Sequence, residues 1–211
     1  MDNHKLQMLH SSGQCDWRTP PEMLEKLKQT FPIEIDLAAK ADNAVVEVEE
    51  SVIYLGPDHP NPAFRDALTV AWHTIAKVGF LNPTYSLTLY SDGLKAGIDR
   101  KDLQWLLIES WANKAYYESL KGFHTIGVFP YAPQTEWFRH FVMGHLSAPN
   151  GVDWAGHAAL DYWKMPHRVS FLQPDGSPSN NANVNTCIIH WGPNPGFVGP
   201  WVPSGRYWSY R

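Results

Sequence analysis

Four apolar residues, Val78-Gly79-Phe80-Leu81, run straight into Asn82-Pro83-Thr84-Tyr85. An apolar run of that length reads as a short buried strand. Pro83 lacks the N–H that a strand ladder needs, so the strand stops there. Such an ending sets an amide side chain, a rigid turn and an aromatic ring at a strand's carboxyl end, the edge at which open α/β sheets hold ligands. The Asn82 side-chain oxygen and the Pro83 carbonyl are acceptors suited to the amino group of a flat ring, and Tyr85 offers a face to stack on it. The same residues also suit a plain strand-ending turn with a surface tyrosine, and their neighbours have to separate the two.

Upstream, Trp17-Arg18-Thr19-Pro20-Pro21-Glu22 reads as a helix start. Thr19 suits the N-cap, Pro20 the first helical position, and Glu22, three after Thr19, completes a capping box. Met23, Leu24, Leu27 and Phe31 follow on one face, and Pro32 ends the helix. Free N–H groups at this start are placed to meet a polar ligand. Ile33 to Leu37 alternates as a first strand that ends in Asp36, and the small Ala38 and Ala39 let a ligand approach the backbone. No glycine lies nearby, so a GxGxxG dinucleotide site is excluded.

Val45, Val46 and Val48 suggest another strand, Gly56 to Pro62 a loop, and Ala63 to Ala76 a helix or helical turn that carries Asp66 and Trp72. Residues 86 to 101 predict a mobile loop. A long helix from about Asp102 to Leu120 carries Leu103, Leu107, Trp111 and Ala115, with Leu106 beside them, and Gly122 stops it. Thr125 to Phe129 predicts a strand and Thr135 to Met143 a short helix. Arg168 to Leu172 and Val184 to Trp191 alternate as a terminal strand pair. The domain plan is a leader at 1–13, a main domain at 14–191 with a recognition insertion at 144–165, and an aromatic, Gly/Pro-rich tail at 192–211. Strands alternating with helices predict an α/β sheet with helices on both faces and an antiparallel edge hairpin.

Composition narrows the function classes. The net charge of −4 argues against a strongly basic nucleic-acid binder, but leaves room for a local basic patch. The two cysteines, Cys15 and Cys187, are too few for a disulfide framework. No run approaches the roughly 20 apolar residues of a membrane helix, and the polar first residues lack the apolar core of a secretion signal. A cytoplasmic chain without membrane contact is expected. His140 and His145 are five apart and form no helical metal pair, so no metal is expected. There is no GxSxG motif for nucleophilic hydrolysis.

Taken in order, several short motifs are similar to those of the phage-type DNA N-6-adenine methyltransferase family. They are Trp17-Arg18-Thr19-Pro20, Asp36-Leu37-Ala38-Ala39 with Asn43, Asp66-Ala67-Leu68 with Trp72, and Asn82-Pro83-Thr84-Tyr85-Ser86. Trp111, Lys114 and Ala115, then Pro130-Tyr131-Ala132 with Thr135, Trp137 and Phe138, and Arg168-Val169-Ser170-Phe171 complete the series. Each is weak alone; their shared order from about residue 15 to residue 191 is specific. The resemblance implies a Rossmann-like sheet, S-adenosylmethionine as methyl donor and double-stranded DNA as partner, with a monomer or homodimer carrying the site. It also implies a bacteriophage or prophage origin, action in the host cytoplasm and protection of DNA from restriction. By the same analogy Trp17, Thr19, Pro20, Asp36, Ala38 and Asp66 serve the donor. Thr84, Ser86 and Phe171 face the target base, and Asn82, Pro83 and Tyr85 carry the chemistry. The family's turn is Asn-Pro-Pro-Tyr; Thr84 restores an N–H and loosens the turn.

Two other readings stay open at this point. One is a silent relative that binds DNA or a host protein, and the other is the same fold acting on another amine such as cytosine N4. Arg100, Lys101, Lys114, Arg139, Lys164 and Arg168 are candidates for phosphate contact.

Overall fold

The computed structural model describes residues 17–48, 51–83, 100–143, 145–147, 153–155, 158–178 and 185–193. Nine strands and three α-helices fall within them. They are α1 (Pro21–Thr30), β1 (Ile35–Asp36), β2 (Glu47–Val48), β3 (Ser51–Val52), β4 (Val78–Leu81), α2 (Arg100–Ser119), β5 (His124–Pro130), α3 (Glu136–Phe141), β6 (His145–Ser147), β7 (Asp153–Ala155), β8 (Asp161–Lys164) and β9 (Thr186–Trp191). The chain is mixed α/β around a five-stranded sheet of order β1-β4-β5-β9-β8. Pairs β1–β4 and β4–β5 are parallel, while β5–β9 and β9–β8 are antiparallel.

Strand alternation divides the core into two layers. Val78, Phe80, Ile126, Val128 and Ile188 turn to one face and pack on Met23, Leu27 and Phe31 of α1 and its end. Leu81, Phe129, Ile189 and Trp191 turn to the other face and meet α2 and α3. Helices therefore cover both faces, as the alternation of elements predicts. On α2, Leu107, Trp111 and Ala115 are buried four apart, and Ile108 and Ala112 widen the stripe. The side chains of Leu103 and Leu106 lie outside the described set. Gly122 ends the helical region at φ 91°, a left-handed conformation that favours glycine.

Three sequence expectations need correction. The helix at residue 21 begins one position later than the capping box requires. Pro20 has ψ 135° and is the cap, and no side chain bonds the cap. Pro21 is the cause: a residue that precedes proline is pushed out of the helical region, so Pro20 cannot be the first helical residue. Second, Arg168–Leu172 is not a strand of the sheet. Leu172 makes isolated bridges to Arg18 and Pro178, and the strand beside β9 is β8, which falls within the supposed insertion. Third, of the two forms expected at Ala63 to Ala76 the helix falls and the helical turn stands, as short 3-10 turns at Pro62–Phe64 and Trp72–Thr74. The loop expected at 86–101 is outside the described residues as far as residue 99. So is the leader at 1–13, and so is all of the tail beyond residue 193.

Candidate functional site

The site follows from where β1 sits. Segment 53–55 runs parallel along one side of β1, through Asp36 N–H to the Ile53 carbonyl (3.0 Å) and Leu55 N–H to the Asp36 carbonyl (2.7 Å). The next strand, β4, pairs on the opposite side of β1. The chain thus leaves β1 in one direction and returns in the other. In an open α/β sheet that reversal opens a crevice at the strands' carboxyl ends.

Register and alternation decide which side chains enter it. Asp36 pairs with Phe80, and Asn82 lies two residues beyond Phe80, so the three share the α1 face. They line a small, open polar cleft of about 30 Å³ together with Trp17, Thr19 and Ala38. Five of the expected site residues, Trp17, Thr19, Asp36, Ala38 and Asn82, therefore meet in one place. Ala39, expected to let a ligand approach, lines it too, and so do Arg18, Asn43, Val45 and Phe80, for which the sequence predicts no site role. The spacing of Asp36 and Phe80 on two pairing strands was the available clue, but it needed the register.

Asp36 is 3% exposed. One carboxylate oxygen accepts from Ala38 N–H (3.2 Å) and the other from Val45 N–H (3.1 Å), so the acid ties the loop after β1 into a closed turn. Asn43 seals that turn by accepting from Lys40 N–H at 2.7 Å. Burial pushes the Asp36 carboxyl up from 3.8 to about 6, against the pull of those backbone N–H groups and of Lys28. Behind the loop, a Cβ on Gly56 would overlap the Ala39 carbonyl oxygen, so backbone packs directly on backbone there.

Thr19, freed from capping, is 9% exposed, and its hydroxyl accepts from Asn82 Nδ2 at 2.9 Å. Arg18 is held by its backbone to Leu172 (2.8 and 2.9 Å) and by an outer ion pair to Asp42 (3.1 Å). Its Nε is buried with no hydrogen-bond partner.

The other expected site residues stand elsewhere. Pro83 is buried directly behind Asn82, and the Pro20 carbonyl starts α1 by accepting from Met23 and Leu24 N–H. Asp66 is exposed, does not line the cleft, and accepts from Leu68 N–H within its own turn. Phe171 packs on the α1 side of the core, next to the bridge that joins Leu172 to Arg18. Thr84, Tyr85 and Ser86 lie outside the described residues. Lys114 is committed elsewhere: its Nζ donates to Glu118 at 2.7 Å and sits over the Trp72 ring.

Among the described residues no group of three or more His, Cys, Asp or Glu side chains could hold a metal ion, and no helix is long and apolar enough to cross a membrane. No protein-family model, no curated protein and no solved structure matches this chain.

Proposed function

We propose that the chain is a DNA methyltransferase with a Rossmann-like sheet, and that it modifies the N6 amino group of adenine in double-stranded DNA. S-adenosylmethionine would supply a methyl group from a positively charged sulfur: the C–S bond would break with its electron pair left on sulfur, a C–N bond would form, and the nitrogen's proton would pass to water.

One observation carries the reading: the hydrogen bond between Thr19 and Asn82 joins two motifs 63 residues apart at the rim of a cleft that also holds Asp36. The cleft's residues fit the donor. A buried carboxylate at a strand's carboxyl end attracts positive charge, and its attraction grows as it ionises above about pH 6. The partnerless Arg18 Nε offers a hydrogen-bond donor to an anionic or carbonyl group. On the acceptor side, the Asn82 Oδ1 and the Pro83 carbonyl are suited to take the two hydrogens of an exocyclic amine. Holding both favours a pyramidal nitrogen whose lone pair is free to react. Orientation and fixed dipoles then supply most of the acceleration. The target base has to leave the duplex to reach such a corner.

Nucleoside mass spectrometry of DNA incubated with the chain and donor tests the reading, because it identifies the modified base. N6-methyladenine is expected, and Asn82→Ala should cut turnover by roughly 100-fold or more while donor binding survives. Unmodified DNA, or a methyl group on cytosine, refutes the adenine assignment.

A further inference from the structure

We propose that Thr19 is a positioning residue, which anchors the side-chain amide of Asn82 by its nitrogen and so leaves the oxygen for the acceptor nitrogen. The inference rests on the reading of Asn82 given above. A primary amide is nearly symmetrical in shape and opposite in chemistry at its two ends. Turned one way, Asn82 offers an acceptor to an amine; turned the other, it offers hydrogens to hydrogens. A hydroxyl can accept from the nitrogen of the amide or donate to its oxygen, so the pairing seen in the structure is what leaves one end of the amide for the amine. In the structure the Asn82 Nδ2 donates to Thr19 Oγ1 at 2.9 Å, and no described residue donates to its Oδ1.

Thr19 is equipped for this because its own position is over-determined. On one side Arg18 is locked by paired backbone hydrogen bonds to Leu172 at 2.8 and 2.9 Å. On the other side Pro20 and Pro21 fix the backbone, with Pro20 at φ −56° and ψ 135°. The late helix start described above is what leaves the hydroxyl free to meet Asn82 instead of capping α1. Thr19 is 9% exposed, so water reaches the bond mainly from the Asn82 side. The strand–turn that presents the amide and the N-terminal segment that lines the donor's cleft thus share one partly buried hydrogen bond.

The test uses the full chain with Thr19→Val and Thr19→Ser. Methyl transfer is measured at saturating donor and unmethylated duplex DNA, donor affinity by calorimetry with S-adenosylmethionine, and folding by thermal melting. Thr19→Val is expected to lower kcat at least tenfold, with donor Kd within about threefold of wild type, and Thr19→Ser to recover most of the loss. The Asn82 side-chain amide protons, assigned by their absence in Asn82→Ala, should exchange with solvent slowly in the wild type and in Thr19→Ser. In Thr19→Val they should exchange quickly. An active wild type beside an equally fast Thr19→Val overturns the positioning role alone. So does a Thr19→Val defect confined to donor Kd, or a serine variant no better than valine. A wild type that transfers no methyl group overturns the methyltransferase reading and the positioning role with it.

Discussion

Two buried carboxylates stand at opposite ends of the same sheet, and their surroundings differ in kind. Asp36 closes the carboxyl end of β1, while Glu118 lies near the start of β5, at the amino end. Glu118 is met by Lys114 Nζ at 2.7 Å, His73 Nδ1 at 2.6 Å and His73 N–H at 3.1 Å. Burial pushes its carboxyl up, but those hydrogen bonds and the lysine's charge more than offset this and leave it below its ordinary value. Asp36 has only backbone N–H groups directly bonded to it, and its carboxyl is held high. The first arrangement fastens the turn before β4 to α2. The second leaves a charge cost standing at a cleft, which is what a binding site for a positively charged ligand requires. A buried carboxylate with side-chain cationic partners fastens the fold; one without them, facing a crevice, is a candidate site for a cationic ligand.

The largest expected break in that contrast comes from Glu118→Ala. It strands the half-buried Lys114 and should cost roughly 3–5 kcal/mol, read as a fall of about 10 °C in melting temperature, with donor Kd unchanged. The pH profile sharpens the contrast. Asp36 titrates near 6 when folded and near 3.8 when unfolded. Between those values the folded state keeps a proton that the unfolded chain has released. Its contribution is therefore full below about pH 4 and lost as pH rises through 6, by up to about 3 kcal/mol. Glu118 runs the other way: its folded carboxyl is depressed, so its contribution is present above the ordinary glutamate range and disappears as pH falls through the folded value. Urea denaturation at stepped pH should show Asp36→Asn removing the decline between pH 4 and 6, and Glu118→Ala removing the loss at lower pH. A smaller effect is expected at Gly56. Alanine there must displace the Ala39 carbonyl, at about 1–3 kcal/mol, and calorimetry should find donor binding weakened. An unaltered Kd would show that the loop after β1 does not shape the site.

Much of this was legible in the chain itself. The apolar four-residue run, its proline stop, the period of α2 and the glycine at its end each state a local preference, and each appears where it was read. The capping box failed for a reason also written in the sequence, because Pro21 forbids a helical Pro20. Arg168–Leu172 failed differently. Its alternation is genuine, but whether an alternating segment pairs with β9 or merely bridges Arg18 depends on competition with Asp161–Lys164, which no local pattern expresses. The cleft was legible as five residue names and not as a place.

The order of residues by itself determined where strands must stop, which helix face is apolar and which backbone positions the prolines close to helix, since these depend on neighbours only a few positions away. Tertiary structure alone decided that Asp36 stands opposite Phe80, that Thr19 meets Asn82 instead of a helix end, and that one carboxylate gained a lysine and a histidine while the other did not. Those outcomes rest on strand register and on burial, and both are set by segments tens of residues apart that compete for the same partners.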